Sequence, residues 1–162
     1  MSVPTLSDAK RAQLIISALK ARDGSYSPYS NFRVGAALLA EDETIVLGAN
    51  VECASYGGTI CAERTAIVKG VSDGHKRFNG LAVSSDVDGP ISPCGICRQV
   101  LREFCPLDMP ILLVPSNYSS STQTVSATEA LQKEGEDILV LTSMGEMLPL
   151  SFGPSNLDKP NP

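Results

Sequence analysis

Apolar residues return with helical spacing between Thr5 and Ala21, where Leu14 pairs with Ala18 and Ile15 with Leu19 on one face. Thr5-x-x-Asp8 offers a capping box at the start and Asp23-Gly24 a stop, so a helix is expected over this stretch. Tyr26 to Phe32 is rich in turn formers (Pro28, Ser30, Asn31). Two strands then follow, Arg33–Leu39 and Thr44–Asn50, joined as a hairpin by Glu41-Asp42-Glu43. Gly57-Gly58 makes Ser55 to Thr59 irregular, and Cys61 opens a helical stretch that runs to Gly70. Leu81–Ser85 reads as a strand, Asp86 to Pro93 as a loop, and Cys94–Phe104 as a helix stopped by Pro106. Pro110–Val114 and Asp137–Thr142 bring the strands to five. Ser126-x-x-Glu129 and Ser143-x-x-Glu146 are capping boxes for two short helices. Helices interleaved with strands in this way imply an α/β fold: one sheet covered by helices.

The length of 162 residues suits a single domain, 1–162. Its Pro/Asn-rich end, 155–162, is expected to fray. A 43% apolar fraction with 19% charged residues supports a packed core and argues against wholesale disorder. The net charge of −5, with no basic run longer than His75-Lys76-Arg77, makes a nucleic-acid polymer a poor partner. A small neutral or weakly charged substrate fits better. Apolar runs such as Val34 to Ala40 are too short to span a bilayer, and no basic-then-apolar leader precedes the first helix. No membrane association and a cytoplasmic location are therefore expected.

Five cysteines (Cys53, Cys61, Cys94, Cys97 and Cys105) are an odd count, which argues against a disulfide framework and for metal binding or catalysis. With His75 the sole histidine, any site needing two histidines is excluded. Pro93-Cys94-Gly95-Ile96-Cys97 puts two sulfurs within one turn at a helix start. Cys61 stands at a second helix start, and helix N-termini favour thiolate. Zinc suits thiolates and takes four tetrahedral ligands, so three cysteines leave one position open, as catalytic zinc sites do. Glu63, two residues beyond Cys61, can take and hand on a proton. On its own, Cys-x-x-Cys also fits a structural zinc knuckle or a redox pair. A structural site would need a fourth ligand, for which Cys53, Cys105 and His75 are the soft candidates.

Cys61-x-Glu63 followed by Pro93-Cys94-x-x-Cys97 is the three-cysteine form of the zinc deaminase signature. With it come Tyr26-Ser27-Pro28-Tyr29-Ser30-Asn31-Phe32, Val34-Gly35-Ala36-Ala37, Asn50-Val51-Glu52, Cys61-Ala62-Glu63-Arg64-Thr65-Ala66, Arg98-Gln99 and Leu148-Pro149-x-Ser151-Phe152-Gly153-Pro154, spread over most of the chain. In these segments the chain resembles the small, homotetrameric cytidine deaminases. The resemblance implies a three-layer α/β/α sandwich around a mixed five-stranded sheet. It implies zinc-dependent hydrolytic deamination of cytidine and deoxycytidine in pyrimidine salvage. It also implies one Zn2+ per subunit on Cys61, Cys94 and Cys97, with Glu63 as proton shuttle. Asn50 and Glu52 match the residues that bind the ribose 3′-hydroxyl, and Phe32 an aromatic of the nucleoside pocket. The backbone N–H of Ala62 would meet the pyrimidine carbonyl, and Phe152 would complete a neighbouring subunit's site. The stretch 116–136 departs most from the family pattern and is expected to be a surface insertion.

Three thiolates on Zn2+ carry a net charge of −1, which should weaken the metal's pull on its water. Arg64 and Arg98, beside Glu63 and Cys97 in sequence, are expected to offset this by donating to sulfur. Two alternatives stay open on the residues alone. One is a deaminase for another substrate, a cytosine-bearing antibiotic or polynucleotide cytosine; the other is a zinc-stabilised binding module in which Glu63 does no chemistry. Asn50 and Glu52 could equally end a strand, and Phe32 and Phe152 could be ordinary core.

Overall fold

The computed structural model describes residues 6–133 and 137–157. Helix α1, Asp8–Ala21, is capped by the Ser7 side chain, which accepts from the Lys10 N–H; Thr5, expected to cap it, lies outside the described residues. Strands β1 (Val34–Ala40) and β2 (Ile45–Ala49) form the expected hairpin, with Glu43 taking a left-handed φ of 72° in the acidic turn. Helix α2 (Ala62–Ser72), strand β3 (Phe78–Ser85), helix α3 (Gly95–Phe104) and strand β4 (Pro110–Val114) follow. Beyond them come β5 (Thr124–Ser126), α4 (Ala127–Ala130), β6 (Leu139–Ser143) and α5 (Met144–Met147). Both expected capping boxes are formed, Ser126 with Glu129 and Ser143 with Glu146.

The sheet has six strands in the order β2-β1-β3-β4-β6-β5, one more than the five expected. The extra strand is β5, inside the stretch 116–136, which pairs parallel to β6 through Val125 opposite Val140. It buries one side chain, Val125, of its three residues, which is too little for a periodic signal in sequence.

Two apolar layers flank the sheet. Leu14, Ile15 and Ala18 of α1 pack with Ala37, Leu39, Ala82 and Leu112 on one face. Ala62, Ala66 and Ile67 of α2 and Leu101 of α3 pack with Ala36, Leu38, Leu81, Val83 and Ile111 on the other. The alternation along β1 and β3 thus assigns each helix its side. All seven residues of β1 and all five of β4 are buried, as befits interior strands.

Topology fixes where the helices begin. β1 is antiparallel to both β2 and β3, and β3 is parallel to β4, so β2, β3 and β4 all run the same way. Helices α2 and α3 are the crossovers from β2 to β3 and from β3 to β4. Both therefore start beyond the carboxyl ends of parallel strands, at one edge of the sheet and on one face, where open α/β sheets place their ligands.

Two strand glycines let the helices close on the sheet. A Cβ on Gly48 would lie 2.3 Å from the Ala62 carbonyl oxygen and 2.4 Å from the Ala66 amide nitrogen, so the first turn of α2 rests directly on β2. Gly35 does the same for α1, with the Ala18 carbonyl 2.2 Å from a notional Cβ. Backbone cannot yield as a side chain does, so Gly48→Ala and Gly35→Ala should each cost about 3 kcal/mol or more, the upper range for overpacking. The two should differ in zinc content: Gly48→Ala displaces the start of α2 and loses metal, whereas Gly35→Ala melts earlier but stays loaded. Thermal denaturation with metal analysis checks this, and full zinc occupancy in a folded Gly48→Ala would contradict it.

Candidate active site

Cys61 and Cys94 are the N-cap residues of α2 and α3, and neither side chain caps its own helix. Both thiols are thus released into the space between the two helix starts, where the free first-turn amides and helix dipoles favour negative charge. Segment 50–52 holds the approach to Cys61 from two sides. Val51 and Ile60 exchange backbone hydrogen bonds of 2.9 and 3.0 Å, and Glu52 N–H donates to the Tyr26 carbonyl at 2.8 Å. One turn into α3, Cys97 is fully buried, Cys61 is half-buried and Cys94 is exposed.

The three sulfurs form a cluster. Cys61 and Cys94 are 3.9 Å apart, Cys94 and Cys97 are 3.5 Å apart, and all three lie within 4.8 Å of one another. Zn–S bonds of about 2.3 Å at tetrahedral angles put sulfurs about 3.8 Å apart, so the cluster matches the span of one zinc ion. Among the described residues no fourth His, Cys, Asp or Glu joins it. Cys105 is buried as the C-cap of α3, His75 pairs with Asp42 at 3.5 Å, and Cys53 lies against Gly58. The fourth ligand that a structural site would need is therefore missing from the cluster.

Charge is arranged unevenly around the sulfurs. Hydrogen bonds with Cys97, then Arg64 and Cys94, pull the Cys61 thiol down to about 5 against opposing burial. The same contact with Cys61, burial and the nearby Glu63 push Cys97 upward. Glu63 is only 4% exposed, and burial raises its carboxyl above the usual range, with the Cys61 charge pushing the same way. A carboxyl so placed holds a proton more readily than a solvated one, as a proton carrier must.

The two arginines part company. Arg64 Nη2 lies 3.7 Å from Cys61 Sγ and 3.2 Å from the Thr59 carbonyl oxygen, while its Nε is buried without a hydrogen-bond partner. Arg98 turns elsewhere: Nε donates to the Pro93 carbonyl at 2.6 Å, Nη1 to the Met147 carbonyl at 2.9 Å, and Nη2 to Ser92 Oγ at 2.7 Å. It straps the loop ahead of Cys94 to the end of α5, and its hydrogen bonds to oxygen replace the expected ones to sulfur.

The residues matched to nucleoside binding are grouped but heavily engaged. Asn50 Oδ1 accepts from Ser25 Oγ at 2.6 Å and from Val34 N–H at 2.8 Å, and Nδ2 donates to the Phe32 carbonyl at 2.8 Å. One Nδ2 hydrogen remains for a ligand. Glu52 accepts from the Tyr29 and Ser30 amides at 3.0 and 3.2 Å and from the Ser30 hydroxyl, which holds its carboxyl below the ordinary range. Phe32 is half-buried against the α2–α3 face of the core, and Ala62 is buried as the first residue of α2.

A cavity of about 320 Å³ opens beside Glu52, lined also by Tyr29, Ser30, Tyr56 and Thr59. Tyr29 and Tyr56 meet at a centroid distance of 5.9 Å. Sequence reasoning gave Tyr56 no role, and its only signal was an aromatic next to Gly57-Gly58. Phe152 stands apart, 59% exposed, its carbonyl held by Gln99 Nε2 at 2.9 Å. Among the described residues no helix is long and apolar enough to cross a membrane.

Comparison with known proteins matches residues 9–113 to the cytidine and deoxycytidylate deaminase zinc-binding region. The cytidine deaminase of Sporosarcina psychrophila is 57% identical over 101 residues, covering 62% of this chain and 74% of that protein. That of Halalkalibacterium halodurans is 47% identical over 121 residues, covering 75% of this chain and 90% of its own. The crystal structure of the Burkholderia pseudomallei cytidine deaminase superposes with a TM-score of 0.73 at 37% identity, covering 87% of this chain and 98% of that one. The chain belongs to the cytidine and deoxycytidylate deaminase family, and its cofactor is zinc.

The uneven charge predicts a reactivity pattern. A depressed thiol pKa makes a stabilising contribution that is present above the unfolded value of about 8.5 and lost as pH falls through about 5. In chelator-stripped protein, iodoacetamide labelling of Cys61 should therefore hold its rate down to about pH 5 and fall below it. Burial pushes Cys105 up to about 12, so it should label only after unfolding. A Cys61 inflection near the ordinary thiol value would contradict the arrangement.

Proposed function

We propose that this chain hydrolyses the exocyclic amine of cytidine and deoxycytidine, giving uridine or deoxyuridine and ammonia, as a step of pyrimidine salvage. The observation that carries this reading is the three-thiol cluster, joined by no fourth ligand among the described residues, with the buried Glu63 beside it. Zinc bound there supplies the Lewis acidity that makes a water nucleophilic near neutral pH. Cys61, Cys94 and Cys97 hold the ion. Glu63 accepts the water proton, delivers it to ring N3 so that C4 becomes electrophilic, and then protonates the departing amine. Water gives its oxygen to C4 and its hydrogens to ring and amine, so the atoms balance. Arg64 offsets the third thiolate by donating to Cys61.

The Ala62 amide, at the positive end of α2, faces the pyrimidine carbonyl, and Phe32 packs against the base. Asn50 and Glu52 take the ribose hydroxyl, with Tyr29 and Ser30 orienting Glu52. The whole chain, 1–162, acts as one domain in the cytoplasm. We read the assembly as a homotetramer, supported by the exposure of Tyr56, Leu150 and Phe152 at 74%, 105% and 59%. Phe152 then enters a neighbour's pocket, and each site is completed in trans. The acidic chain and Asn50-x-Glu52 favour a free nucleoside over a polynucleotide.

Glu63→Gln keeps the shape of the site and removes the proton carrier. The variant should retain its zinc and lose about 10²- to 10⁴-fold in turnover, followed as the ultraviolet change from cytidine to uridine. Wild-type turnover by Glu63→Gln would mean that Glu63 is not the proton carrier, and zinc-loaded wild type that deaminates no cytosine-bearing substrate would reduce the site to a binding module. Zinc-loaded wild type that leaves cytidine untouched but deaminates cytosine or a short single strand would move the substrate.

A further inference from the structure

Helix α3 does two things at once. Its first turn carries the buried Cys97 to the three-thiol cluster, and a neighbouring strip carries Arg98 and Gln99 with Arg102 four and three residues beyond them. That strip is occupied by the segment after α5. Arg98 Nη1 holds the Met147 carbonyl at 2.9 Å, and Gln99 Nε2 holds the Phe152 carbonyl at 2.9 Å. Arg102 Nε donates to Ser151 Oγ at 3.2 Å, and Nη2 to Ser155 Oγ at 3.5 Å. Its guanidinium also packs against Gly153, where a Cβ would come within 2.5 Å of Cζ and 2.7 Å of Nη2. Gly153 N–H donates to Asn156 Oδ1 at 2.8 Å and closes the 3₁₀ turn Pro154–Asn156.

The residues between these anchors point outward. Phe152 is 59% exposed, and Leu150 is fully exposed with a left-handed φ of 56°, a conformation leucine rarely adopts. An aromatic on a mobile strand would lose rotational freedom each time it docked. One whose backbone is pinned on both sides has less to lose. Ser151 and Ser155 are gripped by one guanidinium across a glycine that leaves it room.

We propose that Arg102 and Gly153 are positioning residues that pin segment 151–155 on α3, so that the Phe152 ring is presented, already ordered, to the nucleoside pocket of a second copy of this chain. The proposal rests on the reading that Phe152 acts in trans. It ties the metal site of one subunit to the substrate pocket of the next through a single helix. Arg102 touches neither substrate nor metal.

The test is a KM-against-kcat comparison of Arg102→Ala, Gly153→Ala and Phe152→Ala with cytidine, with zinc content and melting temperature measured on each. Arg102 is half-buried but belongs to neither apolar layer, so Arg102→Ala leaves the core intact and is the decisive variant. KM should rise about three- to tenfold in Arg102→Ala and Gly153→Ala, the scale of one aromatic contact, with kcat and zinc unchanged. Arg102→Ala is then co-expressed with Glu63→Gln, whose sites are dead but whose Phe152 is properly held. The live sites in mixed oligomers should regain wild-type KM.

If Phe152→Ala raises KM while Arg102→Ala and Gly153→Ala do not, the pinning role is overturned and the trans reading survives. If Phe152→Ala also leaves KM alone, the trans reading fails and takes the proposal with it. A raised KM in Arg102→Ala that mixing does not restore would place the effect within its own subunit and overturn the proposal.

Discussion

Three sulfurs must reach one ion from two separate helices, and the direction of the strands is what makes that possible. Because β2 and β3 run parallel, the helices that follow them both begin at the same edge of the sheet. Because Ala62 and Leu101 face the same apolar layer, they also begin on the same face. Gly48 then lets the first turn of α2 sit against β2 with nothing between backbones. The cluster is a consequence of these placements, with Cys61 and Cys94 standing where each helix begins. Glu63 inherits its burial from the same packing, one residue past Ala62 on the helix that rests on the sheet.

The electrostatics follow from that convergence. Two helix N-termini direct free amides and partial positive charge at sulfurs that carry negative charge once metal is bound. Arg64 adds a full positive charge 3.7 Å from Cys61. Burial works against ionisation at Glu63, which keeps a proton within the interior of the site, while Cys61 gives its own up readily. A closed four-thiolate site would have no use for a raised carboxyl beside it. An open site with a proton to move does.

Much of this was legible in the residues. The β1–β2 hairpin, the two capping boxes and the stops of α1 and α3 carry local signals that tertiary packing has no reason to override. The clustering of Cys61, Cys94 and Cys97 was legible because cysteine is scarce and its spacing is chemically constrained. The rest was not legible for separate reasons. Arg98 follows Cys97 directly, but a helix turns by about 100° per residue, so its guanidinium leaves the sulfurs and reaches Met147 instead. Strand β5 buries a single valine and gives no periodicity to read. Asn50 was visible as a polar residue at a strand end. Its grip on Val34, Ser25 and Phe32 depends on which loop folds over it, and nothing local encodes that.

The central claim is that one zinc ion is held by three thiolates with a fourth position left to a light atom. X-ray absorption at the zinc edge of the purified, zinc-loaded protein reads this directly. The account predicts three sulfur scatterers at about 2.3 Å and one oxygen or nitrogen near 2.0 Å. Four sulfurs would mean that Cys53 or Cys105 had been drawn into a closed site. Fewer than three would mean that the cluster of Cys61, Cys94 and Cys97 is not the metal centre, and either result would contradict the account.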